Sequence, residues 1–96
     1  MFSYVYFLRL DNGDIYTGFS KDLRRRIIEH KSGKVTSASG KSPVLFGYEA
    51  FLYEDDARRR KKYLKTTEGK RLFNRQYKIA LEQVGSSRHA TGRHVV

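Results

Sequence analysis

The sequence predicts an α+β domain, a three-stranded antiparallel sheet flanked by helices, from three observations. Residues 2–10 are aromatic and β-branched with no Gly or Pro, the signature of a strand. Asp11-Asn12-Gly13-Asp14 follows, a hairpin signal because Asn-Gly accepts positive φ. After Ser20 the apolar period changes, with Leu23, Ile27 and His30 at helical spacing.

Each element follows in order. In 2–10 the apolar residues lie on both faces, which predicts a central strand covered on both sides. Tyr4 and Tyr6 project from one face, Val5 and Phe7 from the other. The second strand, 15–18, returns antiparallel and ends at Gly18, just before Ser20, the expected cap of the next helix. That helix, 21–31, turns Arg24, Arg25 and Lys31 outward and sets Arg26 and His30 four apart, on neighbouring positions. Gly33 ends it. The loop 34–42 is small, polar and basic, and Lys34 and Lys41 are candidate phosphate contacts. Pro43 introduces the third strand, 44–53, in which Glu49 stands either exposed or toward the phenols.

Glu54, Asp55 and Asp56 suit the start of a helix over 55–66. From residue 57 to 65 only Ala57, Tyr63 and Leu64 are uncharged, so long cationic stems must lie along the sheet. A third helix spans 67–84. The chain thus divides into a domain, 1–84, and a flexible basic tail, 85–96, without a period to bury.

The net charge is +10, from 20 Lys and Arg against 10 Asp and Glu. The basic residues cluster at 24–26, 58–62 and 70–75, which favours a polyanion, nucleic acid before anionic membrane. A membrane surface asks for a strong apolar helix face, which 54–65 lacks. The absence of Cys excludes disulfides, thiolate zinc sites and cysteine nucleophiles. With no long apolar run and no signal-peptide pattern, a cytoplasmic location is expected.

Tyr4-Val5-Tyr6, Tyr16-Thr17-Gly18, Arg26 ten residues after Tyr16 and His30 four beyond it resemble the opening of the GIY-YIG nuclease domain. The similarity continues through the run Ala57 to Gly69 and covers about residues 1–76. It implies a DNA-binding, structure-directed endonuclease in which Tyr6 and Tyr16 orient or deprotonate water, Arg26 holds the phosphate and His30 assists. Tyr4, Arg59, Lys61 and Lys62, with Lys34 and Lys41, would contact nucleic acid. The family also implies Mg²⁺ or Mn²⁺ on a glutamate, at whose place this chain has Lys61. Lysine offers donors only. Glu68, Glu49 and Glu54 are the remaining candidate ligands, although Glu54 and Glu68 lie about 10 Å along a continuous helix from Lys61. Three readings stay open: a metal-dependent nuclease with a relocated carboxylate, a nucleic-acid-binding domain that kept the shape without the chemistry, and a small RNA- or ribosome-associated basic protein.

Overall fold

Asn12 and Gly13 make the turn that their chemistry allows: Gly13 has φ of 89°, and Asn12 Oδ1 accepts from the Asp14 amide at 3.0 Å. A backbone hydrogen bond from Leu10 to Asp14, 2.9 Å long, closes the loop. The computed structural model of the chain describes residues 1–32, 43–85 and 94–95. Strands β1 (Ser3–Arg9) and β2 (Ile15–Ser20) pair antiparallel from Tyr4 opposite Ser20 to Arg9 opposite Ile15. On the other side of β1, β3 (Val44–Phe51) also pairs antiparallel, which makes β1 the central strand of this trio.

Alternation along β1 sends Val5 and Phe7 to one face, and Tyr4, Tyr6 and Leu8 to the other. Both faces are covered. Helix α1 (Leu23–Lys31) lies on the phenol face, where Leu23 and Ile27 pack against Tyr6, Leu8 and Leu10. Its cap is Asp22, which accepts from the Arg25 amide at 3.2 Å, and not Ser20, whose Oγ instead accepts from the Asp22 amide at 2.9 Å. The two residues between strand and helix bend the chain back over the phenols, so the cap falls later than the sequence suggested.

Helix α2 (Glu54–Leu64) covers the opposite face, and its long cationic stems behave as expected: the Arg58 guanidinium sits 4.2 Å above the Phe19 ring. Thr66 caps α3 (Thr67–Gln76), accepting from the Gly69 amide at 3.0 Å. A Cβ on Gly69 would stand 2.0 Å from the Tyr63 carbonyl oxygen, so glycine is what lets α2 and α3 meet this closely. The continuous helix expected over 67–84 divides at Tyr77, whose φ of −110° and ψ of 31° are not helical, and resumes as α4 (Lys78–Gly85). The break lets the Tyr77 ring pack 4.6 Å from Phe73 and 5.0 Å from Phe7.

A two-residue strand, β4 (His94–Val95), pairs parallel with Ile15 and Tyr16, and the sheet order is β3-β1-β2-β4. The rest of the expected tail, 86–93 and 96, lies outside the described residues. No helix among the described residues is long and apolar enough to cross a membrane.

Candidate functional site

The register that pairs Tyr6 with Gly18 creates the site. A Cβ on Gly18 would lie 2.3 Å from Tyr6 Cζ and 2.4 Å from its hydroxyl oxygen, so the phenol occupies space that only glycine leaves open. Tyr16, two residues earlier, shares that face, with its ring centroid 6.2 Å from that of Tyr6. Ile27 packs against the cluster of Tyr6, Leu8 and Leu10, and one turn later His30 is buried to 1% exposure. Its Nε2 lies 2.7 Å from the Tyr6 hydroxyl, and its ring centroid is 5.1 Å from that of Tyr16. Two phenols and an imidazole therefore meet in one cluster, built from β1, β2 and α1.

Burial raises the Tyr6 phenol above the ordinary tyrosine range, with the neighbouring Tyr16 adding to the effect and Arg26 opposing it. Burial also lowers the His30 imidazole, as does the Arg26 charge, against the weaker influence of Glu29. The pair is thus a neutral phenol and a neutral imidazole at pH 7. With the phenol as donor, Nε2 accepts and the ring proton sits on Nδ1. That Nδ1 is buried and has no hydrogen-bond partner among the described residues. Arg26 itself forms an ion pair with Glu29 at 3.2 Å on a half-exposed flank of α1.

Lys61 belongs to the inward stripe of α2, between buried Ala57 and buried Leu64. Burial lowers its ammonium, followed by the charges of Lys65, Arg58 and Arg26. Arg26 on α1 is the weakest of these influences. Arg59 and Lys62 are exposed, Arg59 in contact with Asp56. Tyr4 shares the phenol face but packs against Tyr48 at 5.9 Å. Lys34 and Lys41 lie outside the described residues.

The expected carboxylates stand elsewhere. Glu49 pairs in register with Val5, on the opposite face from the phenols, where Arg60 grips it at 2.9 and 3.1 Å and the Tyr77 hydroxyl donates at 2.8 Å. The sequence expectation that it is exposed or turned to the phenols is corrected by this register. Glu54 takes Lys21 and Arg58, each at 2.7 Å, and those hydrogen bonds hold its carboxyl below the usual carboxylate range. Glu68 sits exposed in the first turn of α3. Among the described residues no group of three or more His, Asp or Glu could hold a metal ion. Tyr48 was missed by sequence reasoning; its signal was its place in an apolar strand beside Gly47, the position opposite Tyr6 once the register is known.

A small α+β sheet with paired phenols on adjacent strands, answered by an arginine and a histidine on the following helix, defines a nuclease-type domain. The sequence profile of the GIY-YIG catalytic domain matches residues 2–77, and the chain belongs to that family. It is 33% identical over 84 residues to a UPF0213 protein of Staphylococcus saprophyticus, covering 85% of this chain and 95% of that protein. A UPF0213 protein of Serratia liquefaciens is 33% identical over 76 residues, covering 74% of each. The solution NMR structure of a UPF0213 protein from Bacillus halodurans superposes with a TM-score of 0.50 at 32% identity, covering 76% of this chain and 82% of that one.

Nucleases of this family generally use divalent metals. The side chains around Tyr6 do not fit one: they are phenols, an imidazole and a guanidinium, and the Glu29 carboxylate beside them is engaged by Arg26.

Proposed function

We propose that the protein binds DNA with the Tyr6, Tyr16, His30 and Arg26 cluster on one face of the sheet and with the cations of α2 on the other, and acts at the cluster as an endonuclease of the GIY-YIG type, with side-chain cations meeting the phosphate. The observation that carries this reading is the 2.7 Å hydrogen bond between buried Tyr6 and buried His30 beside Arg26. A phenol raised this far cannot ionise unaided near neutrality. Joined to an imidazole acceptor, it takes a proton from water as it passes its own to Nε2, which makes the pair a two-step general base. Arg26 holds a non-bridging phosphate oxygen and offsets the charge that grows there. Lys61 adds a second positive charge from α2. Arg59 and Lys62 track the neighbouring phosphates. A chain without cysteine suits a reducing cytoplasm.

Lys61 favours a second reading, a domain that grips DNA without cutting it, because a cation stands where the family places a metal-binding glutamate. Branched, nicked and linear DNA incubated with Mg²⁺, with Mn²⁺ and with EDTA separate the two. Cleavage that survives EDTA and disappears in Tyr6→Phe supports the proposal. Tight, salt-sensitive binding without cleavage in every condition supports the second reading, and Lys61→Glu should then create metal-dependent cleavage. Replacing Arg59, Lys61 and Lys62 together by Gln should flatten the dependence of affinity on salt. An unchanged slope would remove α2 from the interface.

A further inference from the structure

On the phenol face, Tyr4 and Tyr48 meet edge to face, and Tyr48 is 54% exposed. Between this aromatic pair and α1 runs a groove of about 520 Å³, with Tyr4, Tyr48 and Leu45 on the sheet side, Ile27 on the helix side, and the cations Lys21 and Arg24 with the acid Asp22 among its lining. Its size falls within the range of small-ligand sites. Ile28, 61% exposed, extends the apolar wall. The Lys21 ammonium is bonded to Glu54, whereas exposed Arg24 has no ion pair among the described residues.

The groove adjoins the Tyr6–His30 pair. Ile27 lines it and also packs against the cluster of Tyr6, Leu8 and Leu10, and Tyr4 precedes Tyr6 by two residues, about 7 Å of strand rise. An aromatic, apolar cleft with a cation at its rim, one strand step from a candidate phosphate site, fits one ligand chemistry. That ligand is a planar heterocycle carried on an anionic backbone.

We infer that this groove receives an unstacked nucleobase of a DNA strand whose phosphate lies at Arg26, so that the protein favours unpaired or branched DNA over continuous duplex. The inference rests on the DNA-binding reading above. A base within a duplex has both faces stacked on its neighbours and must leave the helix before Tyr48 can meet it, whereas an unpaired base arrives with its face free. Tyr48 supplies the stacking surface, Tyr4 buttresses it, and Arg24 meets the backbone beside the base.

The test compares three oligonucleotides of equal length: a single strand with 2-aminopurine at its centre, a strand with an abasic stretch at the same place, and a blunt duplex. Each is titrated against wild type, Tyr48→Ala, Tyr48→Phe and Arg26→Ala. The wild type should bind the intact single strand about tenfold more tightly than the abasic strand, as one stacked base allows, and should change the 2-aminopurine fluorescence. Tyr48→Ala should lose both effects while holding the abasic strand as wild type does, and Tyr48→Phe should keep both. Arg26→Ala should weaken all three probes together. Equal binding of intact and abasic strands, or a base preference that survives Tyr48→Ala, overturns the inference while the DNA reading stands. Self-association that disappears in Tyr48→Ala, with no base preference in wild type, assigns the groove to a second copy and overturns it as well. If no probe binds in a salt-sensitive way, the DNA reading falls and the inference with it.

Discussion

The two faces of the sheet are built on opposite principles. Toward α2, α3 and α4, Phe7, Phe46, Phe73 and Tyr77 interlock ring to ring, and the one carboxylate among them, Glu49, is matched by Arg60 and a phenol. Toward α1, the buried layer holds a Tyr–His pair whose second ring nitrogen has no partner among the described residues, and beside it the sheet opens into a groove. One face is built mainly of interlocked rings and stabilises the fold, even though the buried Nε of Arg9, two residues beyond Phe7 on the same face of β1, has no partner among the described residues. The other sets phenols, an imidazole and a guanidinium together beside an open groove.

The largest effect should come from breaking the aromatic face. Phe73→Ala removes a ring in contact with Phe7, Phe46 and Tyr77 and should cost about 3–5 kcal/mol in urea unfolding. A loss similar to that of an exposed substitution would mean that this face is not the stabilising one.

Gly18→Ala should come next, and should act on both stability and site. The added methyl meets the Tyr6 ring, so we expect a loss of about 1–3 kcal/mol and displacement of the phenol from His30. In a double-mutant cycle Tyr6→Leu should recover part of that loss; strict additivity would show that the two side chains do not compete for this space.

A smaller effect follows from pH. His30 is held below its ordinary value of 6.5, so the unfolded chain binds a proton there that the folded chain resists. Stability should therefore fall as pH drops below 6.5, until the lowered folded-state value is passed. Urea midpoints at a series of pH values, for wild type and His30→Gln, measure this, and the variant should show the shallower dependence.

The smallest expected change is a gain. Lys61 keeps its charge against burial and three like charges, so Lys61→Met should stabilise the fold. The increment should stay near 0.5 kcal/mol, because solvent screens much of the repulsion. A loss of stability would show that the ammonium has a partner in the folded state.

Local chemistry made much of this legible. Asn12-Gly13 fixed the hairpin, and the period of two then put Tyr6 and Tyr16 on one face, with Arg26 and His30 one helical turn apart above them. Glu49 was not legible, because 44–53 is apolar or aromatic almost throughout and shows no alternation from which to choose a face. Register decides it: Val5 opposite Glu49 places the carboxylate among the helices. The end of α3 was hidden for a similar reason. Nothing in Tyr77 itself breaks a helix; what stops it there is a ring drawn into Phe7 and Phe73, a contact distant in sequence.

Between Phe7 and Leu8 the pairing of β1 with β3 skips a residue, and Phe46 is the one left over. Among the described residues strand β3 is the outermost on that side, the kind of border on which a foreign strand could grow. The extra residue kinks that border and interrupts the even row of donors and acceptors that such growth requires. Together with a net charge of +10 on every copy, the kink makes for a protein that stays dispersed when concentrated at low salt. Deleting Phe46 would straighten the border but also remove a ring that packs on Phe7 and Phe73, so turbidity on concentration would report the border only in a variant whose urea unfolding shows the fold retained.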